Sequence, residues 1–180
     1  HVRGVYKVCR SAWNQMRKQD YGRILMTSSA AGIYGNFGQA NYSMAKMGIY
    51  GLCRTLSAEG ARDNIHTNTI APIAASRLAA GTFPDEILDA IRPEYISPIA
   101  AYLCHDSCEE NGSLFEVGAG WAGKLRWERS LGYGFPLASA FSPADVRDRW
   151  QEITDFSNST HPENGEEAIG AFVKGQMDSA

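Results

Sequence analysis

The spacing of apolar positions predicts helices and strands that alternate along the first two thirds of the chain. Apolar side chains recur every three or four residues over 1–20, which indicates a helix that ends at Tyr21-Gly22. Further helices are predicted over about 39–62, from 84 and over 97–104, and short apolar strands over 23–27, 64–70 and 114–117. The segment between Ser29 and Gly38 is rich in glycine and is predicted to be a loop.

This order of elements predicts an α/β fold. Strands separated by helices favour a parallel sheet that is covered on both faces. Only three strands are predicted, so we expect an incomplete doubly wound, Rossmann-like sheet with helices on both faces, plus a C-terminal helical extension. We predict that residues 1–118 form the C-terminal part of this domain.

The pattern changes after Gly118. Residues 119–156 are predicted to form an extension that packs on the domain or on a dimer partner, with a helix that starts at Ser142-Pro143. Val146, Trp150 and Ile153 are expected on one face of that helix. Residues 157–180 are rich in Ser, Asn, Pro, Glu and Gly and are predicted to be a linker or a disordered tail.

Tyr42 and Lys46 carry the clearest chemical signal. Residues four apart share one face of a helix, so the phenol and the ammonium are within reach of each other. An ammonium beside a phenol favours the phenolate form, which makes a tyrosine a usable acid–base catalyst near neutral pH. The spacing alone occurs in many helices, so the hypothesis depends on a second element.

Ser29 supplies that element. It follows the predicted strand 23–27, thirteen residues before Tyr42, and the carboxyl ends of parallel strands form the ligand crevice of an open α/β sheet. A hydroxyl there can hydrogen-bond a substrate oxygen while Tyr42 transfers the proton. Ser28 remains the alternative, because a strand end predicted from sequence can shift by a residue or two.

A third strand, 64–70, brings a loop to the same edge. The chain resembles the short-chain dehydrogenase/reductase family at Ser29, Tyr42-x-x-x-Lys46 and Asn68-x-Ile70-x-Pro72. Longer strings at 32–42, 104–112, 114–121 and 123–129 are similar to the (3R)-hydroxyacyl-CoA dehydrogenases of peroxisomal multifunctional enzymes. Many family members have asparagine where His1 stands, whereas that branch generally has histidine.

The resemblance implies an NAD-dependent oxidation of a (3R)-3-hydroxyacyl-CoA to a 3-ketoacyl-CoA in peroxisomal fatty-acid β-oxidation. It implies that Tyr42 is the general base, that Lys46 tunes it and holds the nicotinamide ribose, and that Ser29 orients the substrate hydroxyl. The loop at Pro72-Ile73 would flank the nicotinamide. Residues 76–79 read Ser-Arg-Leu-Ala where the family usually has a threonine after Ser-Arg-Met, which leaves one hydroxyl toward the nicotinamide amide in doubt.

The same resemblance implies partners and a compartment. The family enzyme is a homodimer, which we expect to form through the two long helices, with Tyr50, Arg54 and Ser57 on the contact face. A hydratase domain is expected after the tail, and a peroxisomal location follows from the resemblance alone. The glycine-rich turn that binds the cofactor phosphates would precede His1, so we expect residues 1–180 by themselves to turn over little or no substrate.

Three other patterns receive simpler interpretations. Residues 118–123 fit G-x-G-x-x-G, but we expect no further strand after them and an irregular aromatic-rich segment in place of the helix that such a motif must open, so they are not predicted to bind phosphates. The cysteines and histidine of 104–108 lack a second ligand pair, and no metal site is predicted. The basic residues of 124–129 could contact coenzyme A phosphates, although a solvated basic edge is favoured.

Composition narrows the remaining classes. The 180 residues carry a formal net charge of −3 with 21% charged side chains, so the composition does not indicate a basic surface that would bind nucleic acid or an anionic membrane. No apolar run reaches the length of a membrane span. A steroid or polyol dehydrogenase of the same family and a non-catalytic dimerisation segment remain as alternatives, since the serine, tyrosine and lysine alone do not define the substrate.

Overall fold

The computed structural model describes residues 1–75 and 84–178. Two compact units follow each other along the chain, residues 1–125 and 126–180. The segment Ser76-Arg77-Leu78-Ala79, which departs from the threonine usual in the family, lies outside the described residues.

The first unit is built on a four-stranded sheet. Its strands are β1 (Gly22–Thr27), β2 (Ile65–Pro72), β3 (Leu114–Gly118) and β4 (Trp121–Leu125). They lie in the order β1-β2-β3-β4, with β1, β2 and β3 parallel and β4 antiparallel to β3. The predicted Rossmann-like α/β fold is thereby confirmed, with one strand more than expected.

The helices of this unit follow the predicted order. They are α1 (Val2–Lys18), α2 (Ala30–Tyr34), α3 (Ala40–Gly60), α4 (Asp85–Ala90) and α5 (Ser97–Leu103), with short 3₁₀ turns at Ala61–Asp63 and Pro93–Tyr95. α2 was not predicted. It is five residues long and is flanked by glycine, so its sequence carries no helical period.

Apolar side chains cover both faces of the sheet. One buried cluster joins α1 and α3 to the sheet through Cys9, Met26, Ile49, Tyr50, Cys53, Ala71 and Leu114. The other lies beside α5 and contains Ile70, Leu103, Cys108 and Val117. Because side chains alternate along a strand, Leu114 and Val117 of β3 fall into different clusters, and Glu116 shares the face of Leu114.

The face of α3 predicted for a dimer is partly wrong. Tyr50 is 6% exposed and Ser57 is 8% exposed, so both are buried within the monomer. Tyr50 belongs to the cluster under α1, and Gly112 approaches the Ser57 hydroxyl so closely that a Cβ there would lie 2.7 Å from it. The exposed positions of α3 include Met44, Gly48 and Gly51 instead.

The G-x-G-x-x-G pattern forms a hairpin. Ala119 and Gly120 have φ angles of 50° and 74° and make the two-residue turn between β3 and β4. The expectation that no further strand follows was wrong, because the alanine at a left-handed position concealed the turn signal. No helix begins within 118–123, so these glycines lack the strand–turn–helix arrangement of a phosphate-binding turn.

The second unit contains short elements. They are β5 (Arg129–Ser130), β6 (Ser159–Thr160), α6 (Pro143–Asp148), α7 (Trp150–Ile153) and α8 (Gly165–Asp178). Ser142 caps α6 in a capping box with Asp145, as its sequence indicates. The tail was predicted to be a linker or disordered, yet it contains α8. Glu166 and Glu167 in the first turn of α8 suit the helix dipole.

Candidate functional site

The carboxyl end of β1 carries two serines in different surroundings. The Ser28 side chain is 2% exposed, and its Oγ donates to the backbone oxygen of Lys46 at 2.9 Å. Its backbone N–H donates to the oxygen of Ile70 at 2.7 Å, which continues the pairing with β2. Ser28 therefore joins β1 to α3 and has no open side toward a ligand.

Ser29 is half-buried and is the N-cap residue of α2. Its Oγ accepts the backbone N–H of Ala31 at 3.2 Å, while its backbone oxygen accepts the N–H groups of Gly32 and Ile33. A hydroxyl that accepts in this way still has its own O–H to donate. The geometry thus leaves Ser29, rather than Ser28, able to hydrogen-bond a substrate oxygen.

The first turns of α3 present Tyr42 and Lys46 to the same region. The Lys46 side chain is 9% exposed, and its Nζ donates to the backbone oxygen of Thr27 at 2.9 Å. Nζ lies 5.7 Å from the ring centroid of Tyr42. Gly32 allows α2 to approach this helix closely, since a Cβ there would lie 3.1 Å from the Cβ of Lys46. The ammonium is therefore held between the β1 tip and the phenol.

His1 also contacts the phenol. Its imidazole lies edge-on to the Tyr42 ring, with the ring centroids 5.6 Å apart and an interplanar angle of 84°. Edge-to-face pairs of this kind are favourable because the ring edge is positive and the ring face is negative. The sequence identified this position only through the family resemblance, and the structure places it against the tyrosine.

The loop after β2 reaches the same edge of the sheet. The Ile73 N–H donates to the Val117 oxygen at 2.9 Å, and the Ile73 side chain is half exposed. Gly118 lies so close to this loop that a Cβ would stand 2.8 Å from the Ile73 backbone oxygen. The position of Pro72-Ile73 is thus fixed by β3.

Asn68 of the same motif lies in the core and not at the sheet edge. It is 1% exposed, its Nδ2 donates to the Glu110 oxygen at 2.6 Å, and its Oδ1 accepts the Ser113 N–H at 3.1 Å. A buried amide with its donor and acceptor both used is a structural support. Asn68 holds the turn before β3 in place.

One contact at this edge escapes sequence analysis. The Tyr34 hydroxyl at the end of α2 donates to Oε2 of Glu116 on β3 at 2.7 Å. This hydrogen bond to a carboxylate raises the pKa of Tyr34, because loss of its proton would break the bond. The two residues lie 82 positions apart, so no local pattern indicates the pair.

The basic residues of 124–129 and the cysteines of 104–108 were the other candidate groups for binding a ligand or a metal. Lys124 pairs with Glu110 at 2.7 Å, and Arg129 donates to the oxygen of Ala168 at 2.8 Å. Cys104 is exposed while Cys108 is buried. Within residues 1–75 and 84–178, no group of three or more His, Cys, Asp or Glu side chains could hold a metal ion. Among these same residues, no helix combines the length and the apolar character needed to cross a bilayer.

Comparisons with known proteins identify the family of this chain. The sequence profile described as short chain dehydrogenase matches residues 1–82, which include Ser29, Tyr42, Lys46 and the Pro72-Ile73 loop. The chain belongs to the short-chain dehydrogenase family. It is 57% identical over 175 residues to the mouse peroxisomal multifunctional enzyme type 2, a match that covers 97% of this chain and 24% of the relative.

Two further relatives give the same picture. The chain is 48% identical over 168 residues to the peroxisomal hydratase-dehydrogenase-epimerase of Saccharomyces cerevisiae, with 90% of this chain and 19% of the relative covered. The full-length structure of the Drosophila melanogaster peroxisomal multifunctional enzyme type 2 superposes with a TM-score of 0.90 at 43% identity, over 99% of this chain and 33% of that one. The chain thus spans a quarter or less of the mouse and yeast relatives.

Short-chain dehydrogenases are oxidoreductases that use a nicotinamide cofactor, and the residues present fit the nicotinamide end of that group. Lys46 has three N–H bonds and, among the described residues, one acceptor for them, the Thr27 oxygen. Its other N–H bonds can serve ribose hydroxyls. The half-exposed Ile73 beside Gly118 offers an apolar edge for a planar ring.

Proposed function

We propose that this chain contributes the catalytic half of an NAD-dependent dehydrogenase that oxidises a (3R)-3-hydroxyacyl-CoA to a 3-ketoacyl-CoA in peroxisomal fatty-acid β-oxidation. The observation that carries the proposal is the arrangement of Lys46. Its ammonium lies 5.7 Å from the Tyr42 ring centroid and is held at the β1 tip by the oxygen of Thr27, two residues before the N-cap residue Ser29. The names of the mouse and yeast relatives support the substrate and the compartment.

In the proposed reaction Tyr42 acts as its phenolate and removes the proton of the substrate hydroxyl. Ser29 donates a hydrogen bond to the same substrate oxygen and orients it. Lys46 supports this step, because its ammonium lies over the Tyr42 ring at 5.7 Å from the centroid and a nearby positive charge attracts a developing anion. NAD held by Lys46 and the Pro72-Ile73 loop would supply the acceptor for the hydride of the hydroxyl-bearing carbon. The product is the ketone, and the proton remains on Tyr42 until it reaches solvent.

Pro72 and Ile73 are proposed to flank the nicotinamide, and Tyr42 and Lys46 to hold its ribose. The bond from the Ile73 N–H to the Val117 oxygen supports this role, because it fixes the loop at the carboxyl edge of the sheet. The expectation that residues 1–180 by themselves turn over little substrate stays a prediction.

We also propose that the protein forms a homodimer through α1 and α3. Val2, Tyr6 and Val8 on α1 and Met44 on α3 are between 42% and 73% exposed, which supports a contact there. Residues 126–178 are proposed to form the extension and the connection to a hydratase domain, as the name of the yeast relative suggests. Sedimentation of the chain distinguishes a dimer from a monomer directly.

The test of the reaction is Tyr42→Phe in a dehydrogenase completed by joining the amino-terminal segment of the mouse relative to residues 1–180. NADH formation from a (3R)-3-hydroxyacyl-CoA is expected to fall by about 10²-fold or more, while NAD binding persists. Tyr102→Phe is the matched control, since Tyr102 is 56% exposed on α5. Equal turnover in the Tyr42 variant would remove this residue from the mechanism.

A further inference from the structure

The direction of the Ser29 hydroxyl depends on α2. Ser29 is the N-cap residue of this helix, and its backbone oxygen accepts the N–H groups of Gly32 and Ile33 at 2.9 and 3.2 Å. A helix of five residues is not stable alone in water. Its orientation, and with it that of Ser29, is therefore set by contacts with the rest of the unit.

The first turn of α2 is held by packing. Gly32 lies against the backbone of α3, where a Cβ would stand 3.1 Å from the Met47 nitrogen. Ile33 packs against the buried cluster that contains Ile49 and Leu114. These contacts fix the position of one side of the helix. The carboxyl end of the helix is held by Tyr34.

Tyr34 is attached in a different way. Its side chain is 67% exposed, so its ring contributes little burial, but its hydroxyl donates to Glu116 at 2.7 Å. Hydrogen bonds to an ionised carboxylate are shorter and stronger than those between neutral groups. Tyr34 therefore contributes to the orientation of α2 through this hydrogen bond and contributes little to the apolar core.

Glu116 is a rigid anchor. It lies in β3 between Ala71 of β2 and Gly123 of β4, with a strand paired on each side. Ala71 directly precedes the Pro72-Ile73 loop. The Tyr34–Glu116 bond therefore connects the helix that begins at Ser29 to the part of the sheet that holds the proposed nicotinamide loop.

We infer that Tyr34 and Glu116 are a positioning pair that orients α2 and thereby aims the Ser29 hydroxyl at the substrate oxygen. This inference rests on the proposed function for its catalytic consequence, but its structural part does not. Tyr34 lies on α2 and Glu116 on β3, whereas Tyr42 and Lys46 lie on α3, so the pair is inferred to act on the serine arm of the site.

Hydrogen–deuterium exchange on the 180-residue chain tests the structural part without any activity. Tyr34→Phe keeps the ring and removes the donor, and the amides of Gly32 and Ile33 are expected to exchange about three- to tenfold faster. Glu116→Gln keeps a neutral acceptor and should give a smaller increase. Tyr102→Phe should change nothing in α2. Unchanged exchange of these two amides in Tyr34→Phe would overturn the inference.

Kinetics of the completed dehydrogenase test the catalytic part. Tyr34→Phe is expected to lower kcat about three- to tenfold with the KM for NAD unchanged. In a Ser29→Ala background the same substitution should cause no further loss of the residual rate, because its effect passes through the serine. A loss that persists in that background would show that Tyr34 acts by a route other than Ser29 and would refute the positioning role.

These readouts separate two failures. If Ser29→Ala and Tyr42→Phe both retain full turnover, the proposed reaction is wrong, whatever α2 does. If those variants lose turnover while Tyr34→Phe changes neither exchange nor kcat, the reaction stands and the positioning pair is wrong.

Discussion

Replacing Ser28 and Ser29 separately by alanine tests which hydroxyl serves the reaction, because adjacent residues then receive the same chemical change. The Ser28 hydroxyl is buried and donates to the Lys46 oxygen at 2.9 Å. The Ser29 hydroxyl is half-buried and accepts the Ala31 N–H at 3.2 Å. We expect Ser28→Ala to affect stability alone and Ser29→Ala to affect both stability and turnover.

The two stability losses should be similar, for different reasons. Ser28→Ala removes one intramolecular hydrogen bond, worth about 0.5–1.5 kcal/mol. The Lys46 oxygen remains inside α3, so it does not become an orphaned acceptor. Ser29→Ala removes an N-cap, which costs about 0.5–2 kcal/mol. A domain of this size loses about 2–4 °C in Tm per kcal/mol, so each variant should melt a few degrees below the parent chain.

Turnover should differ sharply between these matched variants. Losing a hydrogen-bond donor to the reacting oxygen typically costs about 10²–10³-fold in rate, and we expect a loss toward the lower end for Ser29→Ala. Ser28→Ala should retain the parental rate after correction for the folded fraction. Thermal unfolding by circular dichroism and NADH formation by the completed dehydrogenase provide the two measurements. An inactive but folded Ser28 variant beside an active Ser29 variant would refute the assignment.

Two further substitutions test the supports of the site. Gly118→Ala would place a Cβ 2.8 Å from the Ile73 backbone oxygen, so urea unfolding should show a loss of about 1–3 kcal/mol in the free energy of unfolding. Gly51→Ala is the control, because this glycine lies in open space within α3, and it should be neutral or stabilising. Equal effects of the two substitutions would contradict the close approach of Gly118 to Ile73. Hydrogen bonds from Lys124 and from the Ser113 hydroxyl hold the pKa of Glu110 below its ordinary value of 4.5. The ionised carboxylate therefore stabilises the fold fully above pH 4.5, and this contribution is lost as the pH falls through the lower pKa of the folded state. Lys124→Met should reduce this acid-side loss of unfolding free energy, measured by urea unfolding at several pH values, by less than about 1 kcal/mol, because the pair is partly exposed.

Long elements with a clear period could be predicted, and short or irregular ones could not. The spacing of α1 and α3 and the apolar runs of β1 and β2 indicated these elements, because their burial repeats along the sequence. α2 lacked a period, and α8 was hidden by the polar composition of the segment before it. β4 depends on a left-handed Ala119, which the sequence does not mark as a turn residue.

The candidate site shows the same division. Ser29, Tyr42 and Lys46 were predicted from spacing and topology, because each follows from a strand tip or a helix face. The buried state of Tyr50 and Ser57 could not be predicted, since a polar hydroxyl on a helix usually faces solvent and here lies against a neighbouring segment. The Tyr34–Glu116 contact depends on how α2 and β3 are placed in space, and no local pattern encodes that placement.

Lys46 connects the strand and the helix of the site by two different groups. Its side-chain ammonium donates to the Thr27 oxygen, while its backbone oxygen accepts from the Ser28 hydroxyl. Both bonds cross from α3 to the end of β1, directly before Ser29, so the register between the serine and the tyrosine is fixed by the residue that also supplies the positive charge. Removing this side chain would therefore change geometry and charge together. A loss of turnover in such a variant measures both effects together. Ser28→Ala breaks only the hydrogen bond to the Lys46 oxygen and leaves the ammonium bonded to Thr27, so the parental rate expected for it would show that the bond to Thr27 is sufficient to keep the register.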